Sequence, residues 1–120
     1  MINVPLLKQT LAHIEANPED WYQRTWRCKS GMCFAGWAAD LAGGEWYAGP
    51  EDTYAHELIA EPDEPNSFTL SHSGALVVHA EDRATRLLGL TDEQSATLFY
   101  EDNTLADLRR IVADLTKEAS

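Results

Sequence analysis

The chain has 120 residues and a mass of 13.4 kDa, the size of one ordinary domain, and its 44% apolar content is enough for a single core across residues 1–120. Twenty acidic against nine basic residues give a formal charge of −11 and a pI near 4.5, and between Lys29 and Arg83 ten carboxylates meet no lysine or arginine. Such a chain repels phosphate, which excludes direct nucleic-acid binding and docking on an anionic membrane, and it favours encounter with a basic partner.

In chain order, Val4, Leu7, Leu11 and Ile14 recur at spacings of three and four and predict an amphipathic helix, with Pro5 in its first turn and an end near Asn17-Pro18. Trp21, Tyr22 and Trp26 follow as an aromatic hinge, then Lys29-Ser30-Gly31 as a turn. The almost unbroken apolar run from Met32 to Leu41, closed by Gly43-Gly44, predicts a short buried central helix.

Residues 45–76 hold Gly49-Pro50, Pro62 and Pro65 and match neither period over a long window; Tyr54 to Ala60 and Ser67 to Leu70 are expected to pair as a short irregular hairpin. Val77 to Leu88 predicts a third helix, with Gly89-Leu90 as a Schellman stop. Thr91 to Gln94 fits a capping box opening a short fourth helix with Leu98 and Phe99 on its apolar face. Asn103-Thr104 opens the last helix, whose stripe is Leu105, Leu108, Ile111, Val112 and Leu115. The expected fold class is therefore mainly α: a compact single-domain bundle of about five helices with an irregular middle segment able to hold a hairpin.

Chemistry-bearing patterns are few. Cys28 and Cys33, with four residues between them, suit neither a redox pair, which uses a closer spacing, nor a closed zinc site, which needs two further ligands from His13, His56, His72 and His79. They are expected to be reduced thiols packed as small hydrophobes. With so many carboxylates some pair is inevitable, and a solvated acidic surface is preferred over a glycosidase-like couple. Asp63-Glu64-Pro65-Asn66 lacks the alternating oxygens of a calcium loop. Trp21, Trp26, Trp37 and Trp46 bracket the central helix as core rings rather than as a platform for stacking bases, because few cations surround them. No catalytic residue, metal ligand or cofactor follows from these spacings.

Trp21-Tyr22-Gln23 through Trp26, Cys33-Phe34-Ala35-Gly36-Trp37-Ala38 ending at Gly43, and Leu87-Leu88-Gly89-Leu90-Thr91 with Leu98-Phe99 and Asn103-Thr104 together resemble a family of small actinobacterial and actinobacteriophage proteins. The resemblance covers the chain outside residues 45–75. It implies a bacterial cytoplasmic setting and expression from a phage genome, and it lends no catalytic residues. Many such proteins carry Cys-Gly-Thr where this chain has Cys28-Lys29-Ser30-Gly31, a departure that argues against a shared metal site.

Cytoplasmic placement also agrees with the lack of any apolar run near the roughly 20 residues of a membrane span and of a signal-like start. The functional expectation is an interaction protein that binds and modulates a host protein, basic or itself nucleic-acid-binding. Its partner surface is expected at Glu45, Trp46, Glu51, Asp52, Tyr54, Glu57, Glu61, Asp63 and Glu64. The alternative is a small-molecule binder or enzyme with a pocket between the central helix and residues 45–76, lined by Trp37, Trp46 and His56 or His79. Self-association through an apolar face of the last helix is a further expectation.

Overall fold

The computed structural model describes residues 1–23, 32–47, 57–71 and 73–119. Its first helix, α1 (Val4–Ala16), starts where Asn3 accepts from the Leu6 amide (3.2 Å) and ends at Asn17, whose amide donates to the His13 and Ile14 carbonyls. A 3-10 turn, Pro18–Asp20, leads to Trp21. The central helix, α2 (Phe34–Leu41), is buried over most of its length, and Gly43 just beyond it takes φ +87°, the left-handed conformation that closes a helix at little cost to glycine.

Beyond α2 the fold departs from expectation. Four short strands, β1 (Trp46–Tyr47), β2 (Glu57–Ile59), β3 (Phe68–Thr69) and β4 (Leu76–His79), form an antiparallel sheet in the order β1-β2-β4-β3. With α3 (Ala80–Leu88), α4 (Asp92–Leu98) and α5 (Leu105–Ala119), the described residues make an α+β fold, which corrects the mainly helical bundle. The expected pairing of residues 54–60 with 67–70 is corrected too: β2 and β3 do not pair with each other but flank β4 on either side. The start of the third helix moves from Val77 to Ala80, because Val77 and Val78 belong to β4 and are wholly buried. A short apolar run buried on both faces has no period of its own, and the helical spacing of Ala80, Ala84, Leu87 and Leu88 extends backwards into it. The switch from strand to helix falls at His79, whose Nδ1 accepts from the Glu81 amide at 3.0 Å.

The other helix ends follow the sequence signals. At the C-terminus of α3 the Gly89 amide donates to Arg86 O and the Leu90 amide to Thr85 O, the paired bonds of a Schellman stop. Thr91 and Gln94 form the reciprocal bonds of the capping box at α4. Thr104 and Asp107 make an equivalent pair at α5 (2.9 and 3.2 Å).

The N-terminus is fastened to this same stop: Asn3 donates through its amide to Leu88 O and through Nδ2 to Leu87 O. A Cβ on Gly89, already at φ +69°, would run into the Met1 carbonyl oxygen. Gly89→Ala is therefore expected to cost about 1–3 kcal/mol, the left-handed backbone and the displaced terminus adding together. Urea denaturation measures it, and an unchanged midpoint would show that neither constraint operates.

The interior comes in two clusters that meet at α2. The larger gathers Leu7, Ile14, Phe34, Ala38, Leu88, Leu98, Leu108 and Val112 from the five helices. The smaller joins Ala39 of α2 to Leu58, Val78 and Ala80, with Trp46 packed against them. The stripe of α5 is spent in the first cluster, with Leu108, Ile111, Val112 and Leu115 all buried.

Candidate functional site

Residues opposite one another in an antiparallel sheet point to the same face, so the register sorts the sheet into two surfaces. Trp46, Leu58 and Val78 align across β1, β2 and β4 on the face that meets Ala39. The other face carries two rows: Tyr47, Glu57 and His79, and then Ile59, Val77 and Phe68. In the second row Val77 is buried while Ile59 is 36% and Phe68 44% exposed. Exposed Glu45 precedes β1, and exposed Glu61 and Asp63 follow β2, so the two apolar side chains sit on a sheet whose margins are acidic. Apolar side chains ringed by charge are the usual anatomy of a protein-binding patch.

The residues expected at a partner surface divide on this geometry. Glu45, Glu57, Glu61 and Asp63 lie at the margins or on the outer face of the sheet. Trp46 instead turns inward, and its Nε1 donates to Asp40 Oδ1 at 3.1 Å. Glu64 is drawn inside, only 7% exposed, where it accepts from Arg83 Nε (2.5 Å) and Nη2 (2.6 Å), Arg86 Nη2 (3.2 Å) and the Glu61 amide (2.9 Å). Burial alone would raise the Glu64 carboxyl, but the Arg83 bonds, the Glu61 amide and Arg86 outweigh it and hold the pKa at about 2. Glu51, Asp52 and Tyr54 lie outside the described residues. Sequence reasoning passes over Ile59, Phe68 and Tyr47; the alternation around Phe68 is visible, but nothing local says which face of so short a strand meets water.

The residues named for the alternative pocket lie in different parts of the fold. Trp37 packs in the helical cluster, its ring 4.2 Å from that of His13 and its Nε1 donating to Asp20 O, whereas Trp46 belongs to the sheet cluster. His79 caps α3, and His56 lies outside the described residues.

Cys33 is packed as a small hydrophobe, as expected: it is 2% exposed, and burial pushes its thiol up to about 12. It stays protonated at neutral pH and is a poor nucleophile there. Cys28 lies outside the described residues. Among the described residues no helix is long and apolar enough to cross a membrane.

Gln23, a residue of the aromatic motif, proves to be a structural junction. Its Nε2 donates to Leu98 O and Tyr100 O (3.1 Å each), and its Oε1 accepts from Trp21 Nε1 (2.9 Å) and the Phe34 amide (3.2 Å). One buried amide thereby ties the first turn of α2 to the last turn of α4. Comparison of the chain with protein-family models, with curated proteins and with solved structures found no match.

Proposed function

We propose that this chain is a small acidic interaction protein that works in the cytoplasm of a bacterial host and is expressed there from a phage genome. In this reading it docks a basic host protein on the outer face of its sheet and modulates that protein. The observation that carries it is the pairing of solvent-facing Ile59 and Phe68 with the carboxylates of Glu45, Glu57, Glu61 and Asp63 on the same sheet and its margins. Apolar side chains of this kind supply the desolvated centre of an interface, and the surrounding charge steers a cationic surface towards it and sets its orientation. A partner that ordinarily holds nucleic acid fits the same charge, since the acidic surface then occupies the place of phosphate. The resemblance to small actinobacterial and actinobacteriophage proteins supplies the cellular setting.

The experiment is affinity capture from actinobacterial lysate with the wild-type chain and with a Phe68→Ser variant that also carries Glu57→Gln and Glu61→Gln. A protein of high pI that binds the wild type, weakens about tenfold or more with the variant and dissociates as salt rises is the expected result. Equal recovery by both chains would remove the sheet face from the reading.

A further inference from the structure

The joint between β4 and α3 is closed by a side chain that can change its charge. His79 is both the last residue of β4 and the N-cap of α3, with φ −66° and ψ 142°, and its Nδ1 accepts from the Glu81 amide at 3.0 Å. A backbone N–H directed at Nδ1 needs a lone pair there, so the ring in this arrangement is neutral, with its proton on Nε2. Helices α1, α4 and α5 use the oxygens of Asn3, Thr91 and Thr104 for the same task, and an amide or hydroxyl oxygen keeps its lone pairs in mild acid. Histidine is the residue type that changes charge between about pH 5 and 8.

We infer that His79 is a proton-operated switch, which caps α3 when neutral and pairs with Glu57 across the sheet when charged. An imidazolium carries N–H at both nitrogens, so its Nδ1 meets the Glu81 amide donor to donor and the cap bond is lost. The charge also sits at the positive end of the α3 dipole. Both effects drive the ring off the amide.

A new partner stands across the strand. Glu57 of β2 lies opposite His79 in the register, on the same face and likewise half-buried, and opposed side chains in such a pair start roughly 5 Å apart. Tyr47 of β1 continues the row. Among the described residues, Glu81 and Asp82 in the first turn of α3 add attraction for a charged ring, whereas Arg83 of the same turn is held by Glu64. Strand β3 brings uncharged Phe68 and Thr69, Asp40 of α2 is engaged by Trp46 on the opposite face, and Cys33 at the start of α2 is a protonated thiol. Protonation therefore exchanges a helix cap for a cross-strand ion pair. The switch belongs to the joint and operates whether or not a partner docks on the sheet.

The test is an NMR titration of the full chain from pH 8 to pH 5, followed at the His79 ring and at the Glu81 amide. The amide signal should move with the midpoint of the ring, and its protection factor should fall roughly fivefold, the effect of losing one cap, while the Gly89 amide at the other end of α3 keeps its protection. Glu57→Gln should shift that midpoint to lower pH, because the carboxylate that receives the charged ring is gone. His79→Asn and His79→Ser each keep an oxygen acceptor that does not titrate, so the Glu81 amide should hold steady in both, with thermal melts at pH 8 verifying that they fold. A Glu81 amide indifferent to the charging of the ring, a ring that does not titrate in this interval, an unmoved midpoint in Glu57→Gln, or an equal amide response in the folded His79 variants would each overturn the assignment.

Discussion

Arg83→Met is expected to cost about 3–5 kcal/mol of folding stability, because it leaves the Glu64 carboxylate buried with its main partner gone. That is a large share of the roughly 5–15 kcal/mol typical of a domain. Arg83 does two jobs: its guanidinium makes the Glu64 bonds, and Nη2 also donates to Ile59 O at 3.0 Å, so one side chain fastens both β2 and the connection after it to α3. Arg86 cannot replace it, being 39% exposed and making a single longer bond at 3.2 Å. Removing both charges, in Arg83→Met with Glu64→Leu, should recover much of the loss, since no unpaired ion then remains inside. Urea denaturation of the single and double variants measures both effects, and a double variant no better than the single one would refute the account.

The same pair sets a pH dependence of definite sign. The Glu64 pKa is lowered from an ordinary 4.5 to about 2 in the folded chain, so the unfolded chain binds a proton that the folded chain refuses. The stability contributed by the ionised group is complete above 4.5 and drains away as pH falls from there towards 2. Thermal melts between neutral pH and acid should show that decline in the wild type and a flatter profile in Glu64→Gln. Parallel profiles would assign the acid sensitivity to other carboxylates.

Gln23→Met should destabilise the chain by about 2–4 kcal/mol, through loss of hydrogen bonds and the stranding of buried partners. The side chain keeps its length, but the Phe34 amide and the Trp21 indole N–H lose their bond to it, while the Leu98 carbonyl keeps its bond from Asn103 Nδ2. Gln23→Glu separates the two halves of this role. A carboxylate still accepts from Phe34 and Trp21, yet it faces the carbonyls of Leu98 and Tyr100 with no hydrogen to donate, so it should be no better tolerated than methionine. Hydrogen exchange at the Phe34 amide should accelerate in Gln23→Met beyond the change expected from global stability alone. A Gln23→Glu chain as stable as the wild type would mean that the contact with α4 contributes nothing.

About half of the candidate surface is legible in the amino-acid sequence. Net charge is additive, so the acidic middle follows from counting, and Glu45, Glu57, Glu61 and Asp63 lie on or beside the sheet's outer face. Whether a given acid is solvated is not additive: Glu64 looks like its neighbours until an arginine 19 residues on reaches it. The register turns the Trp46 indole inward and the Phe68 phenyl outward, which neither residue's neighbours in sequence reveal.

Helices and their ends are encoded locally, since a cap, a Schellman glycine and a 3.6-residue stripe are written within a few positions of where they act. Long-range contacts, by contrast, establish that Val77 and Val78 are the middle of a sheet, that Gln23 joins two helices and that Ile59 and Phe68 face water. Strands of two to four residues carry too little pattern to declare themselves, and their hydrogen bonds come from partners distant in sequence, so their place exists only once the chain has closed on itself.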